Sequence, residues 1–397
     1  MALNNFEFFS PTKVFFGKGV ESNVGNEVKK RGATKLLVHF GGGSVKKTGL
    51  LGRVEASLKE AGVDYILLGG VQPNPRLSLV NEGIALCRQE KVNMILAVGG
   101  GSTIDSAKAI AMGVPYDGNV WDFYDGKAKP NAALPTCNIL TIAAAGSETS
   151  ANAVITNEDD WLKRGFGSEL LRPVFTMMNP ELLYTLPTYQ VACGVVDIIM
   201  HTFERYFSPG GINEMSDRIA EAVLRTAMQY GAISVKEPQN YEALSELMWV
   251  GSLSHNGITG LGRVTDWATH NIEHELGGMF DVAHGAGLAA IWGSWARYVY
   301  KTDVWRFVRY GANVLGLSIN YENPEQTALA AIAETERYFT AIGMPINIPQ
   351  LLGRTLTNEE IATMSNKCTF FGRRKVGGLV QLEEKGIADI YHAANKA

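Results

Sequence analysis

The chain has 397 residues, 46% hydrophobic and 19% charged, which is long enough for two ordinary domains. Its 36 basic and 40 acidic residues leave a formal net charge of −4, so no basic excess points to a nucleic-acid partner. No apolar run approaches the ~18 residues of a membrane span. The opening MALNNFEFFSPTK lacks the basic and apolar regions of a secretion signal. Cys87, Cys137, Cys193 and Cys368 are scattered without a Cys-x-x-Cys pair and read as free thiols of a cytoplasmic protein.

The first half alternates short apolar runs with amphipathic stretches. Lys35–Phe40 reads as a buried strand and ends at Gly41-Gly42-Gly43; a helix over Gly52–Ala61 and a strand over Val63–Leu68 follow. A helix is predicted over Ser78–Glu90, a strand over Val92–Val98 ending at Gly99-Gly100-Gly101, and a helix over Ser102–Met112. Asn138–Ala143 and Val174–Met177 read as later strands. This rhythm predicts an α/β domain with a mostly parallel sheet.

Past Leu186-Pro187 helical periods dominate: Val191–Phe207, Glu214–Tyr230, Tyr241–Ser254, Val264–Leu276 and Gln326–Ile342, with a loop at Ser208-Pro209-Gly210-Gly211. The predicted division is a dinucleotide-binding α/β domain over 1–186 and an all-α metal and substrate domain over 187–397.

Two triple-glycine turns each follow a predicted strand. Glycine lets the backbone approach a phosphate, and a helix N-terminus behind it adds oriented N–H groups. After Gly41-Gly42-Gly43 come Ser44, Lys46 and Lys47 rather than a carboxylate. A hydroxyl and two ammonium groups suit a 2′-phosphate, which favours NADP(H) over NAD(H). The plainer alternative is a pair of tight turns with solvated lysines.

Four of the seven histidines fall in two segments. Asp197 and His201 stand four apart in GVVDIIMHTFERY; His270, His274 and His284 follow in HNIEHELGGMFDVAHG. Residues four apart share a helix face, and a carboxylate with imidazoles suits a divalent first-row metal. His39, His255 and His392 read as core or surface residues, with His255 placed to support the ligands.

These segments, with GGGSTIDSAK and TIAAAGSETS, resemble the iron-containing (group III) alcohol dehydrogenases, nearest their butanol dehydrogenase and aldehyde reductase branch, from about Phe6 to about Arg374. The opening FEFFSPTKVFFGKG is similar to that family's N-terminal hairpin. The resemblance implies metal ligands Asp197, His201, His270 and His284, holding Fe²⁺ or Zn²⁺, with His274 beside substrate and nicotinamide as the catalytic proton relay. It implies that Gly99, Gly100, Gly101, Ser102 and Asp105 line the pyrophosphate and nicotinamide ribose, that Gly41, Gly42, Ser44 and Lys47 flank the adenosine ribose, and that Lys163 reaches the cofactor. Ala145 stands where the family often has a threonine, which leaves Thr141 and backbone groups to position the nicotinamide. The implied activity is interconversion of small aldehydes and primary alcohols by a homodimer. A sugar-phosphate cyclase on a related frame and a non-catalytic nucleotide-binding protein are the alternatives.

Overall fold

The computed structural model describes residues 4–210 and 213–396. The chain divides into two compact units, one of Phe9–Thr185 and one of Leu186 onwards joined by residues 4–8. Gly211, the end of the predicted loop, lies outside the described residues.

In the first unit a six-stranded parallel sheet runs in the order β1-β8-β5-β4-β2-β3. Its members are β1 (Lys13–Phe16), β2 (Lys35–Gly41), β3 (Asp64–Val71), β4 (Met94–Gly99), β5 (Thr136–Leu140) and β8 (Phe175–Met178). β6 (Asn152–Asn157) and β7 (Leu162–Gly167) form a separate antiparallel hairpin. The central strands are near-continuous apolar runs because a parallel sheet is covered on both faces: all of β4 and β5 is buried. The expected strands and helices of this half are present with shifted ends. The opening is different from the expected hairpin. Its one strand, β1, pairs in parallel with β8, far along the chain.

In the second unit the five expected helices are present as Thr188–Tyr206, Glu214–Lys236, Tyr241–His255, Ala268–Phe280 and Pro324–Ala341. The fourth begins later than its apolar pattern suggested, because Trp267 ahead of it takes a left-handed conformation (φ 65°). The helices His284–Val299, Val304–Asn313, Asn358–Cys368 and Glu384–Ala394 were not foreseen; the first of them is buried over nearly its whole length. Among the described residues no helix is long and apolar enough to cross a membrane.

His39, in the middle of β2, is a satisfied core histidine. Its Nδ1–H donates to the Leu68 carbonyl at 2.9 Å, and Nε2 accepts from the Ser106 hydroxyl at 2.8 Å. Burial lowers its pKa to about 4, with the Leu68 bond opposing. An unfolded imidazole titrates near 6.5, so between the two values the unfolded chain binds the extra proton. Stability from this site is complete above pH 6.5 and is lost as pH falls towards 4. Comparing wild type with His39→Gln by denaturant unfolding, the wild-type advantage should shrink by about 2 kcal/mol between pH 7 and pH 5. A gap that is constant with pH would show that His39 is not held neutral.

Candidate metal centre

The helix Thr188–Tyr206 is apolar nearly all round, yet it buries Asp197, His201 and Glu204. Their spacing of four and then three residues sets them on one face. Ala268–Phe280 presents His270, Glu273 and His274 in the same way. That helix stops at Asp281, which is left-handed at φ 50°, and the chain turns so that the next helix starts at His284. The turn brings the His284 ring to 5.4 Å from His270, centre to centre, and His201 lies 4.5 Å from His270 on the other side.

The donor atoms converge on one carboxylate oxygen. Asp197 Oδ1 is 3.6 Å from His270 Nε2 and 3.7 Å from His284 Nε2. Ligand pairs around a tetrahedral ion with bonds of about 2.1 Å stand about 3.4 Å apart, so these gaps suit donors facing one cation. Asp197 Oδ1 and His270 Nε2 are buried with no hydrogen-bond partner of good geometry among the described residues. Buried polar atoms are seldom left so, and a metal ion would satisfy both. Asp197, His201 and His270 offer atoms within 4.8 Å of one another; Glu273, His274 and His284 form a second such group alongside.

What aims the imidazoles is a set of acceptors on their far nitrogens. His270 Nδ1–H donates to Glu204 Oε1 at 2.8 Å, and the His270 backbone N–H meets the same oxygen at 3.0 Å. His284 Nδ1–H donates to Glu273, and His201 Nδ1–H to the Asp197 carbonyl at 2.9 Å. The bonds to Glu204 and Glu273 set the proton on Nδ1 of His270 and His284 and turn their Nε2 inward, the usual arrangement for metal-binding histidine, whereas His201 Nδ1 also lies 3.0 Å from Asp197 Oδ1. Sequence reasoning missed Glu204 and Glu273. An acid in an otherwise apolar helix, in step with Asp197 and His201, was the available signal for Glu204.

The site favours positive charge. Burial lowers His270, but the Asp197 carboxylate facing its Nε2 and Glu204 on its Nδ1 outweigh it and raise the imidazole to about 9. Burial would raise Asp197, yet His201 and His284 hold its carboxyl well below the usual range. Burial presses His201 down to about 4, against the pull of Asp197. His255 packs edge-on to His201 with ring centres 4.1 Å apart, and Trp267 lies 5.3 Å from His270. His274 is half-buried, its ring centre 5.8 Å from His284.

In the first unit the two glycine turns end neighbouring parallel strands, Gly41 closing β2 and Gly99 closing β4. β3 lies on one side of β2 and β4 on the other, so the strand order reverses between these two ends. Ligands of doubly wound sheets bind at such a reversal. Gly41, Gly42, Ser44 and Lys47 sit together there, with Ser44–Lys47 forming an exposed single helical turn. Thr141 leaves β5 at the same edge, its N–H bonded to the Gly99 carbonyl at 3.1 Å. Ser102 and Asp105 lie on the helix Gly101–Gly113. A Cβ at Gly100 would overlap Ile142, so that backbone needs glycine. Asp105 is engaged by the protein: its oxygens accept from Ser147 Oγ and from the Val154 N–H at 2.9 Å. Lys163 lies on the separate hairpin, buried on β7 opposite Thr156.

Replacing Glu204 by Gln removes the charge behind His270 and keeps the shape. Metal affinity, measured by competition with a chromophoric chelator, should fall roughly 10- to 100-fold. Unchanged affinity would mean that Glu204 is not the group that tunes His270.

Comparison with known proteins identifies the family. The family model described as "Iron-containing alcohol dehydrogenase" matches residues 11–180, and "Fe-containing alcohol dehydrogenase family, C-terminal" matches 191–395. The chain is 40% identical over 388 residues to NADH-dependent butanol dehydrogenase A of Clostridium acetobutylicum, covering 98% of each. It is 36% identical to the NADPH-dependent aldehyde reductase YqhD of Escherichia coli, over 87% of this chain and 89% of that one. The crystal structure of NADH-dependent butanol dehydrogenase A from Thermotoga maritima superposes with a TM-score of 0.95 at 36% identity, covering 99% of both chains. An α/β unit with glycine turns at a strand reversal, a helical unit with a buried carboxylate–imidazole cluster, and matches over nearly the full length lead to one assignment: the chain belongs to the iron-containing alcohol dehydrogenase family.

Proposed function

We propose that this chain is a metal-dependent, NAD(P)H-linked aldehyde reductase and alcohol dehydrogenase acting on small aldehydes and primary alcohols. The observation that carries the reading is the buried Asp197 oxygen faced by the Nε2 atoms of His270 and His284 at 3.6 and 3.7 Å, with a carboxylate behind each ring. Asp197, His201, His270 and His284 would hold the metal. A divalent ion there supplies Lewis acidity to the carbonyl oxygen, and the nicotinamide supplies the hydride.

The chain's own groups do the rest. Glu204 and Glu273 keep two of the imidazoles aimed inward. His274, beside His284 and left half-buried, is placed to deliver a proton to the oxygen that gains charge as hydride adds to the carbonyl carbon. Gly99, Gly100, Gly101 and Ser102 would cradle the pyrophosphate at a helix N-terminus, Thr141 the nicotinamide side, and Lys163 a further contact. Asp105 supports this loop through Ser147 and Val154.

NADPH is favoured over NADH on electrostatic grounds. The end of β2 carries exposed Ser44, Lys46 and Lys47 and no carboxylate to repel a 2′-phosphate. The names of the relatives include both cofactors. Fe²⁺ and Zn²⁺ both suit three imidazoles and one carboxylate. A cytoplasmic homodimer completes the reading; it is supported by four free cysteines and by the frequency of two-fold dimers. The cyclase alternative has no support among the relatives, whose printed names are those of dehydrogenases and reductases.

The first test follows NADPH and NADH absorbance with butanal, using metal-stripped protein with and without Fe²⁺ or Zn²⁺. Metal-dependent oxidation, faster with NADPH, is expected. His274→Ala should retain the metal and lose roughly 100-fold or more in turnover. If no carbonyl-dependent oxidation occurs with metal supplied, the reading fails.

Lys47→Ala should weaken NADPH about tenfold and leave NADH nearly unchanged, because a charged hydrogen bond to phosphate is lost. Equal effects on the two cofactors, measured by fluorescence titration, would remove the 2′-phosphate argument.

A further inference from the structure

Lys108 lies in the helix Gly101–Gly113 and is completely buried. Lysine is almost never fully buried unless its charge is met. Five oxygens surround its Nζ: the Ser147 carbonyl at 2.7 Å and hydroxyl at 3.1 Å, the Ser150 carbonyl at 2.9 Å and hydroxyl at 3.3 Å, and the Asn152 carbonyl at 2.9 Å. An ammonium has only three N–H donors. Five acceptors around it resemble the coordination shell of an ion more than a set of directed bonds. Backbone carbonyl oxygens, three of the five here, are also the groups that replace the water shell of potassium in selective filters.

All five oxygens come from one short segment, 147–152. Asp105, one helical turn before Lys108, grips that segment too, through Ser147 Oγ and the Val154 N–H. Asp105 and Glu148 supply the opposing charge; burial lowers the ammonium to about 8 against their pull, so it is mainly cationic at pH 7. The chain just before the cage packs on the glycine turn. Thr141 N–H bonds to the Gly99 carbonyl, and the Ala145 methyl lies 3.0 Å from where a Gly101 Cβ would be. A single helix face therefore holds the loop that lies against the turn, by a carboxylate and by an ammonium.

We infer that Lys108 is a tethered monovalent cation: its ammonium templates the 147–152 oxygen cage and so positions the loop against the nucleotide's glycine turn, and the emptied cage accepts a free potassium or methylammonium ion. Lys108 is a positioning residue and touches no substrate. The inference rests on the reading of the glycine turn as the pyrophosphate site.

The test uses full-length Lys108→Ala in choline chloride, then in potassium or methylammonium chloride at the same ionic strength. NADPH and NADH affinity is read by fluorescence, and hydrogen exchange is followed over 146–154. Cofactor binding should weaken at least tenfold in choline, with faster exchange in the segment, and the small cations should restore much of both. Unchanged affinity and exchange, or a loss identical in every salt, overturns the inference. The variant Ser150→Ala keeps the ammonium and the Asp105–Ser147 bond and removes one of the cage oxygens, so it probes the cage without hollowing the core. It should speed exchange over 146–154, and unaltered exchange there overturns the inference as well. Should the wild-type protein bind no nucleotide, the pyrophosphate reading fails alone, and the exchange measurements still decide the clamp.

Discussion

The constraint on which the helical unit depends is the burial of anionic charge. Asp197, Glu204 and Glu273 are all almost completely removed from water, within helices otherwise built from apolar side chains. Isolated buried carboxylates are costly, and neutral imidazoles do not offset them. The folded arrangement therefore calls for a cation at the point where the donors meet. A divalent ion would meet that demand and satisfy the two orphaned atoms, Asp197 Oδ1 and His270 Nε2. Even without an ion the geometry shows the same bias, since His270 is driven towards its protonated form between Asp197 and Glu204.

The supports of this centre are rigid elements, and their order explains its precision. One helix carries Asp197 and His201 at helical spacing, a second carries His270, and a left-handed Asp281 closes that second helix so that His284 returns to the cluster. Trp267, also left-handed, starts the same helix. It is held by the Asn271 side chain, which donates to its carbonyl at 2.6 Å, and by its indole N–H to Thr265 at 2.7 Å. Arg205 lies over the Trp267 ring at 4.8 Å and donates to the His201 carbonyl at 2.6 Å. A bulky residue in a left-handed conformation persists only where its surroundings over-determine it, and here they also wall the imidazoles.

The α/β unit solves a related problem with the opposite sign. It buries a cation, Lys108, and builds the oxygen shell from a loop. In both units a buried charge organises the polypeptide around a functional edge. One does so with side-chain carboxylates facing imidazoles, the other with backbone carbonyls facing an ammonium.

The periodic elements were legible in the sequence because their signals are local. Lys35–Phe40 and Val92–Val98 are apolar runs closed by glycines, and Asp197/His201 and His270/His274 carry their shared face in their spacing. Other features left no local mark. The β6–β7 hairpin turns through the Asn157–Asp160 cluster and a left-handed Trp161, without the Asn-Gly or Asp-Gly pair of a two-residue turn. The helix His284–Val299 is buried over nearly its whole length, with only Ser294, Arg297 and Tyr298 towards solvent in its last turns. β1 takes its partner from residues 175–178, a pairing that only chain topology selects. By itself the sequence determined the βα alternation, the positions of the glycine turns and the residue types of the metal cluster, since composition and short-range period carry all three. Only the tertiary structure decided that Glu204 and Glu273 stand behind His270 and His284, that Asp105 grips a loop, and that Lys108 sits in an oxygen cage. Those pairings join residues 11 to 66 positions apart, and the physical reason is that burial in a shared core, not proximity along the chain, obliges each charge to find its partner.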